Sequence, residues 1–195
     1  ELVTVNANPA LPSVEATVET ITCTLPIVTL DATTNVANAI YTWTGPAQFT
    51  SSLSDPTTGV SGTYQLVVKD PGNGCTSTIS IDVLENTTLP NVTTQNGQLT
   101  CAQPSTALQV SSTTANVSYE WTSPGGVTFP TQNPVVSQPG MYTVVVTSAD
   151  NGCTSSANAT VNPDQNIPVV TVTGGNITCA IVEIDLTGEA NKPNV

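Results

Sequence analysis

The most reactive side chains in the 195-residue sequence are five cysteines, at positions 23, 75, 101, 153 and 179. Cys23, Cys101 and Cys179 stand 78 residues apart, and so do Cys75 and Cys153. Oxidation to disulfides is the chemistry such thiols support when their Cα atoms come within about 7 Å. A zinc site is not expected, because there is no Cys-x-x-Cys pair and no histidine to complete one. Two pairing registers are open. In the first, Cys23 joins Cys75, Cys101 joins Cys153, and Cys179 looks for a partner beyond the sequence. In the second, Cys75 joins Cys101 and Cys153 joins Cys179, which leaves Cys23 over. The first is preferred, since a bridge inside one domain is held by two packed strands, whereas the second must span a proline-marked junction. It makes one geometric demand. In a simple two-sheet topology the turn after the first strand and the start of the last strand lie at opposite ends, so Cys23 has to sit in an irregular or crossing segment.

Fourteen acidic residues are the other candidates for chemistry. Acid-base or glycosidase catalysis needs two carboxylates facing one cleft, and a nucleophilic triad needs a base such as histidine. Asp31 aligns with Gln109, Asp55 with Asn133, Asp70 with Ser148 and Asp82 with Thr160, so none of these carboxylates recurs. No catalytic residue is expected, and the chain reads as non-enzymatic. No cofactor is expected either. The D-x-[DN]-x-[DN]-G calcium loop is missing, and "DPGNG" at 70–74 and "ADNG" at 149–152 match only parts of it. Calcium held by carbonyls at the junctions "NANPALP", "LENTTLP" and "NPDQNIP" is the alternative to solvated acids, although Glu85 and Asp164 do not align there. Asn86, Asn91, Asn116, Asn158 and Asn176 fit N-x-Ser/Thr, a pattern that arises by chance in a chain so rich in Asn and Thr. A Lys–Asn isopeptide would need a recurring lysine, and Lys69 becomes Thr147.

The elements that position these residues follow the same 78-residue period. "GTYQLVVKDPGNGCTSTISIDV" at 62–83 returns as "GMYTVVVTSADNGCTSSANATV" at 140–161. Tyr41 and Trp43 return as Tyr119 and Trp121, Pro46 as Pro124, Pro56 as Pro134, and Pro12 as Pro90 and Pro168. Two full units are expected at 12–89 and 90–167. Residues 1–11 align with the tail of a preceding unit and 168–195 with the opening third of a further one, as in a window on a longer tandem array. Segments such as 27–32, 39–43, 62–70 and 76–83 are rich in Val, Ile, Thr and Tyr and are broken by Pro, Gly, Asn and Asp, which predicts short antiparallel strands. Ile79, Ile81 and Val83 share one face while Ser80 and Asp82 share the other, the alternation of a half-buried strand. "DPGNGC" and "SADNGC" read as hairpin turns in which Asn-Gly supplies positive φ. No stretch keeps a 3.6-residue apolar period. The expected fold is all-β: tandem immunoglobulin-like β-sandwich domains in an elongated array. Trp43, Tyr64, Trp121 and Tyr142 are the expected structural core, with the tyrosine hydroxyls bonding back to the backbone. A sugar-stacking platform would need adjacent exposed aromatics, and Phe49 becomes Val127.

Charge narrows the partners. Two basic residues against fourteen acidic ones, a net charge of −12, exclude nucleic acid and disfavour anionic membrane surfaces. No run of 18 apolar residues marks a membrane insertion. Recurring cysteines in units too small for a large core fit an extracellular setting. The pattern "ITCTLPIVTLDATTNVANAIYTWTGP" followed by "GTYQLVVKDPGNGCTSTISIDV" resembles the tandem immunoglobulin-like or PKD-like repeats of giant cell-surface adhesins of gliding Bacteroidetes, the SprB-type repeat family. The matching residues are Cys23, Trp43, Gly62, Tyr64, Asn73, Gly74 and Cys75, and then Cys101, Trp121, Gly140, Tyr142, Asn151, Gly152 and Cys153. The resemblance implies a secreted stalk or filament segment that spaces a binding region from the cell. Its partners would be neighbouring repeats, with surface glycans or other surface proteins as further candidates. The alternative is a carbohydrate- or protein-binding module that uses the divergent loops 44–56 and 122–134.

Overall fold

The computed structural model describes residues 10–163 and 168–191. The tail expected at 1–11 therefore lies almost wholly outside the described residues, and Asp164 lies outside them too. The described chain is built of strands, with one 3-10 turn at Pro46–Gln48 and no helix long and apolar enough to cross a membrane. It divides into two compact units. One gathers the described residues through Asn91 with Ser112–Ser118 and Val146–Ser155, and the other gathers Val92–Ser111, Tyr119–Val145 and the described residues from Ser156 onward.

In the first unit a four-stranded antiparallel sheet runs in the order Phe49–Ser51, Ile40–Gly45, Gly62–Lys69, Thr76–Val83. Two short antiparallel pairs accompany it, Val14–Thr17 with Asp31–Thr34 and Val28–Thr29 with Thr57–Thr58. β-branched and aromatic residues at every second position give each strand one face to bury. Tyr64, Leu66 and Val68 are fully buried along Gly62–Lys69 while Gln65 is exposed. These residues join Ile21, Val28, Leu30, Ala32, Trp43 and Val83 in one core.

The 78-residue period carries through to burial. Leu99, Leu108, Val110, Trp121, Tyr142, Val144, Val146 and Val161 are buried where Ile21, Leu30, Ala32, Trp43, Tyr64, Leu66, Val68 and Val83 are buried one period earlier. Trp121, Tyr142, Val144, Val146 and Val161 lie in a sheet that runs Gly97–Gln98, Thr154–Asn162, Gly140–Ser148, Val117–Thr122, Thr128–Phe129. Residues 168–191 keep only the opening hairpin-like pair, Val170–Thr173 against Thr187–Ala190. Leu186, one period after Leu108, is 78% exposed.

The recurring Gly-x-Tyr has a steric cause. Gly62 and Gly140 have φ of 134° and 137°, where L side chains are strained. A Cβ on Gly62 would also meet Pro46 Cγ at 2.7 Å, and Gly140 faces the recurring Pro124 in the same way. The Asn-Gly turns differ from expectation in one respect. Positive φ falls on Gly74 and Gly152 alone (78° and 68°), and the asparagines contribute their side chains instead.

Candidate functional site

Two kinds of cysteine-bearing turn recur, and each is built the same way every time. The first follows a short strand. Thr22 N–H donates to Leu25 O at 3.0 Å and Leu25 N–H to Thr22 O at 3.2 Å, closing a turn around Cys23. The same reciprocal pair joins Thr100 with Gln103 around Cys101, and Thr178 with Ile181 around Cys179. The second kind is the Asn-Gly-Cys turn. Gly74 N–H donates to Asp70 O and Asp70 N–H to Cys75 O, and Gly152, Ser148 and Cys153 repeat both bonds. Asn73 Oδ1 accepts from Cys75 N–H at 2.8 Å, and Asn151 Oδ1 accepts from Cys153 N–H at 3.0 Å.

These turns lie at opposite ends of a repeat. Ile21–Thr22 pairs in parallel with Glu85–Asn86, so Cys23 sits where the chain leaves the repeat. Asn73 Nδ2 donates to Ala10 O at 3.0 Å, which puts Cys75 where the chain arrives. One period later Asn151 Nδ2 donates to Thr88 O at 2.9 Å and to Asn86 Oδ1 at 3.0 Å. Asn86 thus lies opposite Thr22 in the parallel pair and accepts from the turn of Cys153 through its side chain.

The disulfide in the structure accordingly joins Cys23 to Cys153, with Cα atoms 5.0 Å apart and a sequence separation of 130. This corrects both registers read from the sequence. Cys23–Cys75 would require a bond between the two ends of one sandwich, and Cys101–Cys153 repeats the same mismatch. The second register fails because Cys153 is already bonded to Cys23 and is not available to Cys179. It also fails because the turn that carries Cys75 is bonded through Asn73 to Ala10. Cys153 is buried and Cys75 half-buried. Cys101 and Cys179 are exposed.

The aromatic residues organise the sandwich core. Trp43 and Trp121 are fully buried, and each indole N–H reaches a carbonyl eleven residues on, Ser54 O at 3.2 Å and Gln132 O at 2.9 Å. Tyr64 O–H donates to Val60 O and Tyr142 O–H to Gln138 O, both at 2.9 Å, each four residues upstream. A buried strand tryptophan with a tyrosine hydroxyl tied back to the chain at the edge of a late strand is the immunoglobulin-type arrangement. The fold is all-β and immunoglobulin-like, with small sandwich units in tandem. Burial raises the Tyr142 phenol above its ordinary value. Phe49 packs edge-on against Tyr64 with ring centroids 5.1 Å apart, so it serves the core rather than a sugar platform.

No protein-family profile matches the chain, and no curated protein matches it. Among solved structures it is similar to the three N-terminal domains of the bacteriophage RB49 Highly Immunogenic Outer Capsid protein (Hoc). The identity is 14% with a TM-score of 0.47, covering 93% of this chain and 71% of that one. It is similar also to Sidekick-1 immunoglobulin domains 1–5, at 12% identity and a TM-score of 0.34, covering 89% of this chain and 43% of that one. The titin domains z1z2, solved in complex with telethonin, align at 11% identity and a TM-score of 0.30, covering 83% of this chain and all of that one.

The acidic residues do not gather. Among the described residues no group of three or more His, Cys, Asp or Glu could hold a metal, and no buried side-chain polar atom lacks a hydrogen-bond partner. Glu85 accepts from Thr87 Oγ1 at 2.8 Å and from Ser61 Oγ at 2.9 Å, which holds its carboxyl below the usual range. A hollow of about 460 Å³ beside Leu11, Asn35, Asn38 and Gly72 offers a single carboxylate, Asp70. Of the N-x-Ser/Thr asparagines, Asn91 works as a cap. Its Oδ1 accepts from Ser112 Oγ, Thr113 N–H and both Thr114 donors.

One recurring role escaped the comparison of carboxylates. Asp55 Oδ1 accepts from Ala32 N–H at 3.0 Å, and Asn133 Oδ1 accepts from Val110 N–H at 3.2 Å at the equivalent place. The position keeps an acceptor oxygen, and charge is incidental. In the first copy the Ser54 hydroxyl and then the Ala32 N–H hold the Asp55 carboxyl below its ordinary value. A lowered folded-state pKa adds stability that is present at neutral pH and lost as pH falls through the acid carboxylate range. Asp55→Asn should therefore preserve the fold and remove that part of the acid sensitivity, whereas Asp55→Ala should cost about 1 kcal/mol. Urea midpoints of the three proteins at pH 7 and pH 3 would check this.

Proposed function

We propose that the chain is a non-enzymatic, load-bearing spacer: a segment of the stalk or filament of a secreted cell-surface adhesin of the SprB type, as in gliding Bacteroidetes. The observation that carries the reading is that what recurs every 78 residues is core, turn and cysteine, and none of it is a ligand-facing cluster. The supporting chemistry is consistent with an extracellular setting. Disulfides persist outside the reducing cytosol, and a net charge of −12 keeps like chains apart in solution. A bond from Cys23 to Cys153 suits a spacer under tension, because force applied at the ends bypasses the backbone between them.

Loops 44–56 and 122–134 are in part committed to the core, through the Ser54 and Gln132 carbonyls that receive the indole N–H groups and through Asp55 and Asn133. Pulling the chain by its termini tests the spacer. In the oxidised protein about 430–470 Å of extension, 130 residues at about 3.3–3.6 Å each, should be withheld and then released by a reductant. Glycan arrays should show no binding above background. Full extension without reductant would contradict the load-bearing role. Reproducible glycan binding abolished by exchanging loop 44–56 or 122–134 would make the chain a binding module.

A further inference from the structure

We propose that Cys23–Cys153 is one rung of a periodic ladder, in which the first-turn cysteine of each repeat bonds the Asn-Gly-Cys thiol of the next, and that Cys75 is a rung position for the repeat before it. The inference stands on the two turns and does not depend on the spacer reading. Cys75 occupies a turn identical in its backbone and Asn–Cys bonds to the one that carries Cys153. That turn is docked on Ala10 as the other is docked on Thr88, and these two residues are one period, 78 residues, apart. The first-turn geometry is likewise reproduced around Cys101 and Cys179. Both halves of the bond are therefore built in each of the two full copies.

Closing a rung removes two thiol hydrogens and two electrons, which a small disulfide such as oxidised glutathione accepts. The Cys75 thiolate attacks it and releases one glutathione thiol. The partner thiolate then attacks the Cys75 sulfur of the mixed disulfide and releases the second, so two protein thiols and one glutathione disulfide give one rung and two glutathione thiols. The ladder has a property that isolated intradomain bridges lack. Each rung spans 130 residues and the next begins 78 later, so consecutive rungs overlap by 130 − 78 = 52 residues. Every peptide bond between the outermost cysteines of such an array lies under at least one rung, and no single proteolytic cut there severs it.

The test is the full chain extended at its N-terminus by a copy of residues 12–78 bearing Thr24→Ser as a mass marker. Residues 1–11 align with 79–89, so this extension keeps the 78-residue register. After oxidation with glutathione and cleavage after acidic residues, the expected cross-link joins Cys75 to the marked first-turn cysteine, with Cys23–Cys153 retained. The two added cysteines joined to each other, or Cys75 left as a thiol, would overturn the ladder. A second measurement covers an extension that fails to fold. The unextended chain, oxidised at high concentration, should give intermolecular Cys75–Cys179 peptides in at least tenfold excess over Cys75–Cys75. Equal amounts of the two, or Cys75 found only as its glutathione adduct, would overturn it as well.

Discussion

Trp43→Ala should lower the unfolding free energy by about 3–5 kcal/mol, the range for deleting a buried large aromatic side chain. The indole is fully buried among Leu30, Tyr64 and Leu66 of the core. Its neighbours are fixed by strand pairing on both sides, Ser51 opposite it on one and Leu66 on the other, so the site has little freedom to collapse. The substitution also leaves Ser54 O without the indole N–H. Urea denaturation followed by circular dichroism would measure the loss. Retention of the wild-type midpoint would mean that Trp43 does not pack as described.

Loss of the disulfide should cost a comparable amount by a different route. Cross-linking residues 130 apart removes loop-closure entropy from the unfolded chain worth about 5 kcal/mol in the chain-entropy treatment. Cys153→Ser and reduction of the unmodified chain should therefore lower the denaturation midpoint alike, and reductant should have no further effect on the variant. Cys179→Ser, at an exposed turn, should leave the midpoint within error. Guanidinium unfolding with and without reductant separates these cases. An unchanged midpoint on reduction would show that the staple contributes nothing to folding.

The fold was legible because its signals are local and were written twice. Trp43 and Trp121 mark a buried strand by residue type, and Gly62 and Gly140 mark a position whose φ and whose proline neighbour exclude a side chain. The tyrosine hydroxyls found their carbonyls four residues upstream, a short-range bond. Cysteine pairing was not legible in this way. Spacing alone is compatible with 23–75, 75–101 and 23–153, because all three repeat with the same period. The choice depends on which end of the sandwich each turn occupies, and that is set by Asn73 reaching Ala10 and by Glu85–Asn86 pairing with Ile21–Thr22. The sequence did hold one clue, the opposite-ends difficulty with Cys23–Cys75, and the structure resolves it by bonding Cys23 to Cys153 of the following repeat. Asp55 illustrates a second limit. A carboxylate replaced by Asn133 looks dispensable when charge is the criterion, yet the Oδ1 acceptor is retained.

Non-reducing peptide mapping addresses the pairing directly. Cleavage after Asp and Glu places each of the five cysteines on a separate peptide, since Glu19, Asp31, Asp82, Glu85, Glu120, Asp150, Asp164 and Glu183 fall between or around them. The expected cross-linked species joins the peptide 20–31, which contains Cys23, to the peptide 151–164, which contains Cys153. Recovery of Cys23 joined to Cys75 instead would confine each bond to its own repeat and remove the covalent link between successive repeats on which the account rests.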